Sequence, residues 1–197
     1  MIPARAEASL AERLAGIAGI AVFQHGWAHM NHAPPGASKA ELGPERATSF
    51  VLGELARGAI ALDHVFGERG WRRALVPPHN RIAPALRAAL PTCGWRGLSA
   101  GLGPRGAPVP GLAEVNAHVD IMDWSTRGFG GEDAALGALV AALAARRAGA
   151  ADPGEPVGLL THHLAHDEPA WAFVDALLAR LAAHRSVAFA DGAELLA

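Results

Sequence analysis

The sequence predicts an α/β fold with a mainly parallel sheet. Short apolar runs alternate with longer helix-like segments along the chain, and polar, chemistry-bearing residues gather just after the apolar runs. Such alternation is the mark of strand–helix–strand units, because parallel strands need a crossover that is usually helical. The 197 residues, 51% of them apolar, suit one domain over residues 1–197 with a sizeable core.

From the N-terminus, Pro3 to Ala15 carries Leu10 and Leu14 four apart among charges, the pattern of an amphipathic helix. The glycine-bounded run Ile17 to Phe23 reads as a buried strand. A loop with Pro34-Pro35-Gly36 follows, then a helix from Pro44 to Phe66 with Phe50, Leu52, Leu55 and Leu62 as its inner face. Ala74 to Val76 is a short strand stopped by Pro77-Pro78, Ile82 to Leu90 a helix, and Trp95 to Leu98 a further strand. Gly101 to Gly111 is too rich in glycine and proline to be anything but loop. Val115 to Ile121 reads as strand, Ala134 to Arg147 as helix, Val157 to Thr161 as strand and Pro169 to His184 as helix. Val187 to Phe189 closes the chain as a last strand.

Composition removes several classes of partner. Net charge is −2 with no basic block, which argues against nucleic acid and against an anionic membrane surface. No stretch approaches the roughly 18 unbroken apolar residues of a membrane span, and no signal peptide is visible, so the expected location is cytoplasmic. Cys93 is the sole cysteine, so neither an intrachain disulfide nor a cysteine zinc site can form.

Chemistry concentrates in Gln24-His25-Gly26-Trp27-Ala28-His29-Met30-Asn31-His32. If the chain turns helically after its strand, His25 and His29 share one face, a spacing from which two neutral imidazoles can reach one metal ion. Gly26 stands where a zincin protease carries its glutamate, so that class is disfavoured. His79, Asn80 and Arg81 follow another apolar run. Asp120, Asp123 and Trp124 follow a third, and His162 and His163 a fourth. In α/β sheets ligands bind beyond the carboxyl ends of the strands, so this convergence points to a metal-assisted hydrolase.

His25-Gly-Trp-Ala-His29 resembles the H-x-x-x-H metal motif of the polysaccharide deacetylases, the NodB-homology enzymes also called carbohydrate esterase family 4. Asp120-Ile-Met-Asp123-Trp124 is similar to that family's D-x-x-D-W motif, and Leu160-Thr161-His162 to its L-x-H motif. The likeness runs along nearly the whole chain. It implies a distorted (β/α) barrel, a divalent metal (usually zinc), and removal of an acetyl or other small acyl group from a saccharide. By position, His25 and His29 become metal ligands, and His162 the general acid of an acetate pocket with Leu160 beside it. Asp120 or Asp123 orients that histidine. Trp27 and Trp124 either stack on a sugar ring or simply pack.

Two motifs depart from the pattern. The family opens with a strand ending in paired aspartates, one the base and one the third metal ligand, and no aspartate precedes His25. Ile2-Pro3 resembles the end of the family's second strand, so the first strand is expected to be missing. Arg81 falls after the prolines of Val76-Pro77-Pro78-His79-Asn80-Arg81 and is carried over only as a stand-in for the family's arginine. A catalytic zinc uses about three protein ligands, and His25 with His29 supply two. Two alternatives therefore stand beside the deacetylase: a non-catalytic metal- or carbohydrate-binding remnant, and a zinc amidohydrolase acting on a non-sugar amide.

Overall fold

Strands β1 (Phe23–Gln24), β2 (Arg72–Leu75), β3 (Gly97–Leu98) and β4 (Ala113–Glu114) form one sheet in that order, every neighbouring pair parallel. The computed structural model describes residues 1–103 and 105–196, and its architecture is α/β. By its internal contacts the chain divides into two units. One comprises Met1–Gly101, Arg105–Val115 and Asp191–Ala197; the other comprises Leu102–Pro104 and Asn116–Ala190.

In the first unit α1 (Ala8–Leu14) precedes β1, α2 (Thr48–Phe66) lies in the β1–β2 crossover, and α3 (Pro84–Ala89) joins β2 to β3. Leu55, Leu62, Leu75, Leu86, Leu98 and Trp95 are fully buried together, the apolar face that makes each amphipathic element fold against the sheet. The second unit pairs β5 (Ala117–Asp120) with β8 (Gly158–Leu160) in parallel and holds a hairpin, β6 (Met122–Asp123) against β7 (Gly128–Phe129). Its core joins Val119 and Ile121 to Phe173, Val174 and Leu177 of α5 (Glu168–Ala182), with α4 (Glu132–Arg147) packed on β5. Charge placement supports α4: Glu132 and Asp133 stand in its first turn, Arg146 and Arg147 in its last, each complementing the helix dipole. At the start of α5 the Asp167 carboxylate accepts the Ala170 amide at 2.9 Å, an N-cap.

Several expected elements are displaced. Of the run Ile17 to Phe23 only Phe23 joins a strand; Gly16 and Gly19 take φ of 81° and 76°, turning the chain and leaving Ile17 and Ile20 half exposed. The N-terminal helix is confined to α1 after a 3-10 turn over Pro3–Arg5. The inner face of α2 is Val51, Leu55, Ala59 and Leu62, whereas Phe50 is 58% exposed. Phe50 lies one residue, about 100° of helical turn, from Val51, so both cannot face the core. Of Val115 to Ile121, Ala117 to Asp120 form β5, while β4 ends just before the run, at Glu114, and belongs to the other sheet. Val187 to Phe189 is not a strand; Phe189 is exposed, and a short helix, α6 (Gly192–Leu195), follows instead. No described helix is long and apolar enough to cross a membrane.

Candidate functional site

Parallel neighbours end at the same sheet edge, so residues just beyond β1 and β2 are brought together although some fifty positions separate them. The register sets Gln24 beside Leu75, and the Val76 amide donates to the Gln24 carbonyl at 2.7 Å. His25 therefore sits alongside Val76, and its Nδ1 lies 2.8 Å from the Val76 carbonyl oxygen. A carbonyl can only accept, so Nδ1 carries the proton and Nε2 keeps the lone pair. Burial pushes this imidazole down to about 4, against the Val76 hydrogen bond, which acts to raise it. At neutral pH the ring is uncharged, the form that ligates a metal.

Two more imidazoles adjoin it. The His25 and His29 ring centroids are 5.0 Å apart, and His79 meets His29 edge-on at 4.6 Å. His79 sits in the turn after β2, and burial, with the neighbouring His29 and Lys39 charges, lowers its pKa. Its Nε2 is buried without a hydrogen-bond partner among the described residues. Both His29 and His79 have left-handed backbone, φ 60° and 59°, a conformation that costs a non-glycine residue about 1–2 kcal/mol. The residues between His25 and His29 do not form the helix turn that their spacing suggests. Glu41 shapes that segment. Only 1% exposed, it accepts the Trp27 amide at 3.2 Å and the Ala28 amide at 2.8 Å. Gly26 has φ 60°, and a Cβ there would lie 1.9 Å from Glu41 Oε2. Glycine is the residue that tolerates both.

Trp27 is half-buried under the Arg57 guanidinium, 5.4 Å from its ring centroid, and His32 is exposed. Arg81 is exposed and lines an open cleft of about 370 Å³ with Ser38, Glu45, Asn80 and Pro84.

The second unit repeats the device. Asp120 and Leu160 close the β5–β8 ladder as partners, so Asp120 and His162, two residues past Leu160, come together. His162 Nε2 is 3.2 Å from Asp120 Oδ2, and the Trp124 indole N–H donates to the same oxygen at 2.9 Å. The Met122 amide donates to Asp120 Oδ1 at 3.0 Å. Burial alone would raise the Asp120 pKa, but the bonds from His162, Trp124 and Met122 outweigh it and hold the carboxyl below its ordinary range. Trp124 also stands edge-on to His162, with centroids 4.7 Å apart. Asp123 turns elsewhere: Ser125, by hydroxyl and amide, donates to its Oδ1 and lowers its pKa. The orienting carboxylate is thus Asp120, and Asp123 organises the β6–β7 turn. His166 Nε2 accepts the His162 amide at 2.9 Å, while His163 is exposed.

Glu41 is the site residue that sequence reasoning left out, and His79, counted among the strand-end residues, received no individual role there. His79 gave a signal, since it follows an apolar run as His25 does. Glu41 gave none; its contacts lie thirteen and fourteen residues back and need the folded loop. Among the described residues, no three His, Cys, Asp or Glu side chains stand ready-made around a metal position.

Fold and site define an α/β protein that carries histidines and an aspartate beyond the carboxyl ends of parallel strands. Compared with protein-family models, with curated proteins and with solved structures, the chain finds no match.

Proposed function

We propose that this protein is a metal-dependent hydrolase that removes an acetyl or small acyl group from a saccharide, on the distorted (β/α) barrel plan of the polysaccharide deacetylases it resembles. The observation that carries the reading is the pairing of His25 with His29: ring centroids 5.0 Å apart, with His25 Nε2 left as the lone-pair nitrogen by the bond to Val76. Two imidazoles on one tetrahedral zinc, with Zn–N near 2.0–2.1 Å, place their centroids about 5 Å apart. The donor set suits zinc or another first-row divalent ion. A cation held there would supply Lewis-acid polarisation of the acyl carbonyl.

The remaining roles belong to side chains. The Val76 carbonyl fixes the His25 tautomer and ring plane, as outer-shell acceptors of ligating histidines do. Within the second unit Asp120 accepts from His162 Nε2 and so leaves Nδ1 as the nitrogen available for proton exchange, the general-acid role that the resemblance implies. Trp124, 53% exposed, offers an aromatic face for a sugar ring, and Leu160 an apolar neighbour for the acyl methyl. Arg81 offers a cation at the open cleft.

The test is acetate release from N-acetylated chito-oligosaccharides and from O-acetylated xylo-oligosaccharides, with the protein first stripped by chelator and then given zinc. Zinc-dependent release, lost in His162→Ala with zinc content unchanged, is expected. Turnover of small acylated amides but not of either sugar would replace the saccharide with a non-sugar amide. Zinc binding without release from any of them would replace the enzyme with a binding protein.

A further inference from the structure

His79 adjoins the His25–His29 pair, and three features set it apart from a packing histidine. It comes from a separate loop, the turn after β2, yet its ring meets His29 edge-on at 4.6 Å, close to the spacing of the His25–His29 pair. Its Nε2 is buried and has no hydrogen-bond partner among the described residues, although a buried polar atom normally finds one. Finally, His29 and His79 both hold left-handed backbone, and so does Asn80, φ 54°. Backbone strain of this kind persists where the surroundings over-determine it, and it clusters at ligand sites.

We propose that His79 is the third protein ligand of the metal site, giving an all-imidazole set of His25, His29 and His79. The assignment rests on the metal-hydrolase reading above. It brings the site to the three protein ligands of a catalytic zinc. Because the three rings do not yet surround one position, the assignment requires the His29 and His79 imidazoles to turn about Cβ–Cγ, a broad torsion for this side chain, while the Val76 bond holds His25. The chemistry is consistent, since neutral imidazoles suit zinc.

The test is zinc binding to the full chain, read by titration calorimetry and by metal content after dialysis, for wild type and His79→Asn. Asparagine tolerates left-handed backbone, so the variant removes the imidazole without adding strain. Wild type is expected to bind one zinc per chain. His79→Asn is expected to bind more weakly by more than the roughly 10–100-fold that loss of an outer-shell partner costs. Zinc binding that the variant retains undiminished overturns this assignment alone. No zinc binding by wild type overturns the metal reading and this assignment together. A second readout needs no variant: on zinc addition to the wild type, ring nitrogens of three histidines should show the large ¹⁵N shift of ligation. Shifts confined to His25 and His29 overturn the assignment even if His79→Asn does not fold.

Discussion

His162 Nε2 lies 3.2 Å from Asp120 Oδ2, a hydrogen bond between residues 42 positions apart that closes at the end of the β5–β8 ladder. The same carboxylate oxygen takes the Trp124 indole N–H, so two side chains are fixed around one acceptor. Asp120→Asn removes the charge and can present an amide N–H to His162 Nε2, favouring the opposite tautomer. If His162 exchanges a proton during acyl transfer, kcat for acetate release should fall by about 10²–10⁴, the scale of general acid–base assistance. Asp123→Asn, which disturbs only a turn, should lower kcat far less. Equal losses in the two variants would remove Asp120 from its orienting role.

Acid stability follows from the same carboxyl. Its folded pKa is depressed, so it stabilises the folded state above the unfolded value near 3.9. That contribution is lost as pH falls through the lower, folded pKa. Urea midpoints measured from pH 6 downward should decline for wild type below about pH 4, and more shallowly for Asp120→Asn. Parallel curves would show that Asp120 makes no net contribution in acid.

Glu41 holds the segment between His25 and His29 by two backbone amides. Glu41→Gln keeps the volume but turns an NH2 toward one of those donors. Leaving a buried donor unpaired costs about 1–3 kcal/mol, and thermal unfolding should register it. Gly26→Ala should also destabilise, since its Cβ would meet Glu41 Oε2 at 1.9 Å with the backbone at φ 60°. Both variants should weaken zinc binding together with stability. A Gly26→Ala protein of wild-type stability would show that the loop accommodates a side chain.

The face of α2 can be checked by contrast. Leu55 is fully buried, so Leu55→Ala should cost about 2–5 kcal/mol of unfolding free energy. Phe50 is 58% exposed and lies under Arg46, 5.0 Å from the guanidinium carbon, so Phe50→Ala should cost under about 1 kcal/mol. Comparable losses would return Phe50 to the core.

Periodicity and punctuation determined much of this by themselves. The apolar spacing of Leu55 and Leu62 and the Pro77-Pro78 stop made α2 and β2 legible, with ends shifted by a few residues. Alternation of strands and helices made the α/β class legible. Local pattern failed at Ile17 to Val22 and at Val187 to Phe189, where apolar composition suggests a strand but none forms.

Tertiary structure alone decided which polar residues meet. From sequence, His25, His79, Asp120 and His162 are four strand-end residues of equal standing. Parallel register sorts them into two pairs, since neighbouring strands deliver whatever follows them to the same edge: His79 to the His25–His29 group, and His162 to Asp120 rather than Asp123. Glu41 belongs to the site only because the folded loop brings the Trp27 and Ala28 amides to its carboxylate. Sequence spacing encodes the local repeat of a helix or strand; contacts between distant segments come from sheet register and core packing, and those exist only once the chain has folded.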